Sequence, residues 1–254
     1  MDAIQQRLTL ADLHGFNVNT IDDAPVPQKV SFSNVYHQTA RSAFEGIGPG
    51  SRGPQVAQLQ ETLRKWNPRL GIEINGSYDH NTEKAVALYR AIYSGSEGSK
   101  IDATTAGHLS AMQDGTFWKN PPIKTAGQQL LYQASQQIGK PYVLGGDGHY
   151  STDCGQLVRT SAGKSNLSRC ADEQYRSAKT GRHGLTTGEK ARPGDLLFFN
   201  YPTSQSGLAY GGITHVGIHV NSKWTLAASS SAGRVVLQRS APMQSYVADV
   251  GNWK

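Results

Sequence analysis

A single cysteine near the middle of the chain has the surroundings of a nucleophile. Cys154 follows Thr152 and Asp153 in the stretch STDCGQLVRT. Either of those two residues can cap a helix, which predicts that Cys154 lies in the first helical turn. Backbone N–H groups and the helix dipole favour an anion there, and they can lower a cysteine pKa from about 8.5 toward neutrality. A small buried structural cysteine is the alternative, and position alone weighs the two evenly.

His215 is the candidate base for this thiol. It lies in ITHVGIHV, whose alternation predicts a strand with His215, Gly217 and His219 on one face. A glycine beside the histidine leaves room for the end of a neighbouring helix. If the Cys154 helix packs on this strand, a thiolate–imidazolium pair results. A lone histidine is more often structural, so the assignment of His215 depends on Cys154.

The elements that must position this pair change type along residues 127–254. Helical periodicity comes first, in GQQLLYQASQQIG, in the Cys154 helix and around 169–178. Strand patterns follow at 194–200, 213–220, 223–229 and 233–239. Helices followed by strands predict an α+β fold.

The preceding half of the chain predicts a smaller helical unit. Val56, Leu59 and Leu63 recur at helical spacing, a second helix is predicted to start with Thr82 as its N-cap, and a third follows Asp102. The predicted organisation is an N-terminal arm, a three-helix unit, a Pro-containing linker and the Cys–His domain, at 1–45, 46–114, 115–126 and 127–254.

Composition and charge narrow the classes of function. The net charge is +6, from 25 Lys and Arg against 19 Asp and Glu, which favours an anionic partner. The basic residues are scattered, so nucleic acid is not expected. We expect no membrane span, no secretory signal peptide in the N-terminal stretch, and synthesis in the cytoplasm. No cluster has metal-ligand spacing, so neither a metal nor another cofactor is expected.

Five ordered stretches of the C-terminal half resemble the NlpC/P60 cysteine peptidases: GKPYVLGG, STDCGQLVRT, LSRCADEQY, RPGDLLFF and THVGIHV. The resemblance implies a papain-like fold and cleavage of peptide stems in peptidoglycan, typically between D-Glu and diaminopimelate. It implies that Cys154 is the nucleophile and His215 the base. It also places Tyr142, Asp153 and Gly155 at the site as oxyanion or substrate contacts.

Two departures from the family pattern lie near the nucleophile. The family's Asp-Cys-Ser-Gly is Asp-Cys-Gly-Gln here, at residues 153–156, which bears on the choice of substrate. Cys170 follows Arg169 where the pattern has Thr or Ser. A spare structural cysteine is favoured there over a reactive one, and a disulfide between Cys154 and Cys170 would abolish activity.

A third departure concerns the residue that orients the base. The family usually has a polar residue, often His, twelve positions after the base, and that position is Ala227 here. The candidates for orienting His215 are therefore His219, Ser229, a backbone carbonyl or a water. A cysteine–histidine dyad can work without a third residue, because a thiolate is a strong nucleophile.

The helical unit has a resemblance of its own. GSRGPQVAQLQETL, INGSYDHNTEKAVALYR and IDATTAGHL resemble the three-helix peptidoglycan-binding domain, with Asn75 where the family usually has Asp. The resemblance implies that this unit binds peptidoglycan and raises the local concentration of the enzyme there.

The combined hypothesis is a peptidoglycan hydrolase that uses Cys154 and His215. The expected lack of a signal peptide favours a toxin injected into rival bacteria, for instance by type VI secretion, with an immunity protein that plugs the Cys154 groove. A phage-type lysin is the alternative route for the same chemistry. Two other classes stay open: a non-catalytic wall-binding protein in which Ala227 marks a decayed site, and a papain-like acyltransferase.

Overall fold

The computed structural model describes residues 43–113, 115, 121–180, 186–187, 191–201, 212–240 and 246–248. Its helices are α1 (Pro54–Trp66), α2 (His80–Tyr93), α3 (Ala103–Gln113), α4 (Ala126–Ser135), α5 (Cys154–Ser161) and α6 (Ala171–Thr180), with a short 3₁₀ helix at Pro68–Leu70. Its strands are β1 (Thr186–Thr187), β2 (Leu196–Phe199), β3 (His215–Asn221), β4 (Trp224–Ser229), β5 (Arg234–Arg239) and β6 (Tyr246–Ala248). The predicted α+β class is confirmed, whereas the N-terminal arm lies almost entirely outside the described residues.

The strands form one antiparallel sheet in the order β1-β6-β2-β3-β4-β5. The four central and edge strands from β2 to β5 are those that the alternation predicts. The sequence patterns did not reveal β1 and β6, because two and three residues are too few to show a period of two.

The two faces of β3 have different roles. Val216, Ile218 and Val220 are buried in the main hydrophobic core, whereas His215 packs with the aromatic rings of Phe199 and Tyr201 on the other face. This is the alternation that the sequence predicts, and it leaves the histidine outside the apolar core.

Glycine, proline and aspartate set the starts of the helices in the N-terminal unit. Gly53, at φ 115°, precedes Pro54 at the first position of α1. The cap of α2 is Asp79 and not Thr82, because Asp79 Oδ1 accepts the N–H of Thr82 at 2.8 Å. The helix therefore begins at His80, and Thr82 lies inside its first turn. Asp102 Oδ1 accepts the N–H of Thr105 at 2.8 Å at the start of α3.

The helical unit and the sheet share one hydrophobic core. A single cluster of buried side chains contains Leu59 and Leu88 of the helical unit together with Leu130 and Val216 of the C-terminal half. Polar contacts cross the same boundary: Lys223 Nζ lies 2.6 Å from Glu83 Oε1, and Asn67 Nδ2 donates to Ser135 O at 3.1 Å. Within the described residues, no helix is both long and apolar enough to cross a membrane.

Candidate active site

The start of α5 is fixed by Asp153, and Cys154 is its first residue. Asp153 Oδ1 accepts the N–H of Gln156 at 2.8 Å, and Oδ2 accepts the N–H of Gly145 at 2.9 Å. Both carboxylate oxygens are therefore engaged by backbone groups. Asp153 holds the nucleophile's helix against the 143–146 loop, which is a positioning role.

Gly155 lies against a backbone segment that leaves no space for a side chain. A Cβ atom built on Gly155 would lie 1.9 Å from Arg169 O. The carbonyl oxygen of Gly155 accepts a hydrogen bond from Gln174 Nε2 at 3.0 Å, and the same amide donates to Ser168 O at 2.6 Å. The serine that the family has at this position therefore has no room here. The two hydrogen bonds of the buried Gln174 connect the 168–170 segment to the start of α5.

The Cys154 thiol meets the strand that begins with His215. The helix α5 packs on β3, and the backbone N–H of Val216, the residue after His215, donates to Cys154 Sγ. The N–H groups of Gly155 and of Cys154 itself also point toward the sulfur. The candidate nucleophile therefore faces three backbone N–H donors and lies next to the candidate base.

Burial sets the charge state of this pair. It raises the pKa of the Cys154 thiol to about 11, and the three backbone N–H groups offset that effect only in part, while the Asp153 charge adds to it. Burial also lowers the pKa of His215 to about 4. The direction for Cys154 is opposite to that expected from the helix N-terminus alone, because desolvation outweighs the dipole. Both directions favour a neutral thiol and a neutral imidazole over an ion pair at neutral pH.

Aromatic rings supply the dry surroundings of the base. The His215 ring lies 5.9 Å from Phe199 and 5.7 Å from Tyr201, and those two rings stack on each other at 5.3 Å. Phe199 is also the register partner of His215 across β2 and β3. No side chain among the described residues hydrogen bonds to the His215 ring. Its orientation comes from this packing.

Tyr142 lies beside the thiol. Its N–H donates to Gly233 O at 2.8 Å, and it forms a parallel β-bridge with Thr152. Burial raises the pKa of its phenol, and the charges of Cys154 and Asp153 raise it further. The half-buried hydroxyl stays protonated at neutral pH and can donate a hydrogen bond to an anion that forms at the sulfur or at a substrate oxygen.

The two candidate orienters have other partners. His219 Nε2 lies 3.1 Å from Glu97 Oε1, and four residues along a strand separate it from His215 by about 13 Å. The contact with Glu97 and this separation along the strand argue against His219 as the residue that orients the base. Ser229 Oγ lies 3.0 Å from Ser231 Oγ and accepts the N–H of Ala232 at 3.3 Å. Its hydroxyl stabilises the turn after β4.

Ala227 lies on the His215 face of the sheet. A Cβ on Gly217 would lie 3.5 Å from Ala227 Cβ, so the methyl of Ala227 points to the side of Gly217 and His215. A longer polar side chain at this position would have the direction needed to reach toward the base. Alanine supplies no polar atom there.

Cys170 is exposed, and both cysteines are free thiols. Within the described residues, no group of three or more His, Cys, Asp or Glu side chains is arranged to hold a metal ion.

A cysteine at the start of a helix that packs on a strand beginning with histidine is the arrangement that a papain-like cysteine peptidase needs. Residues 139–250 match the NlpC/P60 family, and this part of the chain is an NlpC/P60 domain. The resemblance carried by the five motifs is thereby confirmed.

Part of this chain is similar in sequence to curated proteins. The chain is 37% identical over 93 residues to "Probable endopeptidase p60" of Listeria innocua serovar 6a. Those residues make up 36% of this chain and 17% of the relative. It is 34% identical over 93 residues to the protein of the same name from Listeria monocytogenes serovar 1/2a, which is 36% of this chain and 16% of the relative. The chain thus spans about a sixth of the length of these relatives.

Solved structures include similar chains at low identity. The peptidoglycan hydrolase RipB of Mycobacterium tuberculosis is 22% identical, with a TM-score of 0.39 over 78% of this chain and 84% of that one. The P60 domain of an antigen from M. avium subspecies paratuberculosis is 24% identical, with a TM-score of 0.38 over 50% of this chain and 96% of that one.

Proposed function

We propose that the chain is a cysteine peptidase that hydrolyses an amide bond in the stem peptide of peptidoglycan. The observation that carries the proposal is the contact of Cys154 Sγ with the N–H of Val216, directly beside His215, within an NlpC/P60 domain. The name of the Listeria relatives, "Probable endopeptidase p60", supports the same class of reaction.

The first half of the reaction forms a thioester. Neutral His215 accepts the thiol proton of Cys154 as the sulfur attacks the carbonyl carbon of the scissile amide. The resulting oxyanion receives hydrogen bonds from the N–H of Cys154 and from the hydroxyl of Tyr142. When the tetrahedral intermediate collapses, the C–N bond breaks, the leaving nitrogen takes the proton from His215, and the amine departs.

The second half releases the acid. A water molecule gives a proton to His215 as its oxygen attacks the thioester carbonyl. The C–S bond breaks, the sulfur recovers the proton from His215, and the stem leaves as a carboxylic acid. The neutral resting state suits this cycle, since His215 starts each half as a base and ends it as an acid.

The amide bond that is cleaved and the unit that binds the enzyme to peptidoglycan are finer parts of the proposal. The motif resemblance favours the bond between D-Glu and diaminopimelate, and Gly155 removes the serine hydroxyl that the family offers to the stem. We assign the helices α1–α3 the role of a peptidoglycan-binding unit, which is packed directly on the sheet and not joined to it only through a linker.

The route to the wall is also part of the proposal. An antibacterial toxin delivered by type VI secretion, with an immunity protein seated over Cys154, and a phage-type lysin share this chemistry. Expression of the chain in rival cells with a periplasmic leader, with and without the protein encoded next to it, separates the two. Lysis that the neighbouring protein prevents is expected for the toxin, and lysis that it leaves unchanged contradicts the toxin.

Digestion of purified sacculi tests the activity. Wild type, Cys154→Ala and the matched control Cys170→Ala are each incubated with sacculi, and the soluble fragments are read by mass spectrometry. We expect stem fragments with a new free carboxyl and a new free amine from wild type and Cys170→Ala, and none from Cys154→Ala. A fragment whose carboxyl is joined to a different amine would indicate the acyltransferase. No cleavage by any of the three, with all three pelleting with sacculi, would establish the non-catalytic binding protein.

A further inference from the structure

A basic cleft lies on the side of α5 that faces away from β3. The helix contributes residues 156, 159 and 160, which have the i, i+3, i+4 spacing of one helical face. The turn at Asp147 and the segment from Gly163 to Arg169 form the walls. The cleft has a volume of about 530 Å³, which is enough for several residues of a peptide.

Three cations and one carboxylate line this cleft. Arg159 and Arg169 each donate one hydrogen bond to a backbone carbonyl, at Ser165 and Gly146, which fixes the guanidinium groups and leaves further N–H donors. Lys164 Nζ has no hydrogen-bond or ion-pair partner among the described residues. Asp147 Oδ1 already accepts the N–H of His149 at 2.8 Å. With three cations against one carboxylate, the net charge of the cleft lining is positive.

Gln156 contributes an acceptor that lacks a donor. The residue is 7% exposed, and its Nε2 donates to Asp147 O at 3.2 Å. Its Oε1 is buried and has no hydrogen-bond partner in the described part of the chain. A buried carbonyl without a donor is costly, so a ligand with an N–H group stabilises this side chain. Gln156 stands where the family pattern has glycine, so this group is a departure of this chain.

We propose that the cleft binds a carboxylate-bearing segment of the stem peptide. A peptide carboxylate pairs with the free ammonium of Lys164, and a neighbouring amide N–H donates to Gln156 Oε1. A phosphate-rich wall polymer would satisfy the cations but offers no amide donor to Gln156. The inference rests on the proposed function for the source of the peptide. Gln156, two residues after Cys154, lies on the opposite face of α5, so the cleft is a subsite apart from the thiol.

Binding to the Cys154→Ala protein tests the cleft without turnover. The probes are a synthetic stem tripeptide with free carboxylates and the same tripeptide with its carboxylates converted to amides, titrated by calorimetry. We expect the acid form to bind about fivefold to tenfold more tightly, as for one partly exposed charge-assisted contact. Adding Lys164→Gln should abolish that preference, Lys164→Arg should retain it, and Gln156→Met should weaken both forms.

A matched control removes the same charge elsewhere. Lys124→Gln, at an exposed position just before α4, should leave the preference for the acid unchanged. Equal affinity for the two tripeptides, or a preference that survives Lys164→Gln, would overturn the inference. Tighter binding of a glycerol phosphate oligomer than of the acid tripeptide, lost in Lys164→Gln, would also overturn it. Acid-selective binding without cleavage of sacculi by wild type would refute the proposed function and leave the cleft standing.

Discussion

Adding a single methyl group at Gly155 sets two physical effects against each other. In a helix, alanine is more stable than glycine by up to about 1 kcal/mol, so propensity alone predicts that Gly155→Ala stabilises the protein. The structure predicts the opposite, because the new Cβ would lie 1.9 Å from Arg169 O. The sign of the change in the free energy of unfolding therefore decides between the two.

The size of the effect follows from the displacement that relieves the contact. A carbon atom and a carbonyl oxygen approach to about 3.3 Å, so the start of α5 or the 168–170 segment must move by about 1.4 Å. That movement breaks the 3.0 Å hydrogen bond from Gln174 Nε2 to Gly155 O, which costs about 1 kcal/mol, and overpacking costs about 1–3 kcal/mol more. After the propensity gain, we expect a net loss of about 1–3 kcal/mol.

The same displacement moves the nucleophile. A shift of about 1 Å in a reacting group lowers the rate about 100-fold, so Gly155→Ala should lose that much activity on sacculi. Urea unfolding gives the stability, and release of stem fragments gives the rate. Gly71→Ala is the control: its φ of 64° is strained but its surroundings are open, so it should lose about 1 kcal/mol with full activity. A Gly155→Ala protein that is more stable than wild type and equally active would refute the reasoning.

Three further predictions concern the charges of the site. In a Cys170→Ser background, the rate of Cys154 alkylation by iodoacetamide should rise up to pH 10 without a plateau near neutrality, since burial raises its pKa to about 11; a plateau between pH 6 and 8 would indicate a stable ion pair. Cleavage of sacculi should persist as the pH falls and be lost only near pH 4, where His215 becomes protonated and ceases to be a base; a loss of activity centred at pH 6.5 would contradict this. His219→Gln should leave the pH profile of cleavage unchanged. It should lower the free energy of unfolding by about 0.5–1 kcal/mol, because the contact with Glu97 is lost. A shift in the acid limb of the pH profile would instead indicate that His219 orients the base.

Local sequence rules are enough to predict the helix that carries Cys154 and the strand that carries His215. The Ser/Thr/Asp capping preference places Cys154 at the start of a helix, and the alternation of ITHVGIHV separates His215 from the core residues of β3. These features follow from neighbours a few residues away, which is why they can be predicted.

Features that depend on distant packing were not predicted. The thiol pKa depends on how deeply Cys154 is buried against Val216, which is 62 positions further along the chain. The role of Gln174 depends on the backbone of Gly155, and the partner of His219 is Glu97 in the helical unit. The capping preference of threonine predicts Thr82 as the cap of α2, but the carboxylate of Asp79, three residues earlier, is the stronger acceptor and makes the bond.

The core that joins the helical unit to the sheet has a consequence for how the protein comes apart. Because Leu88 of α2 and Val216 of β3 belong to one buried cluster, loss of either half uncovers apolar surface on the other. Melting should accordingly follow a single cooperative transition, with calorimetric and van't Hoff enthalpies in agreement. A fragment cut between the two halves would expose apolar surface to water. The two halves therefore form one folding unit and not two independently folding domains.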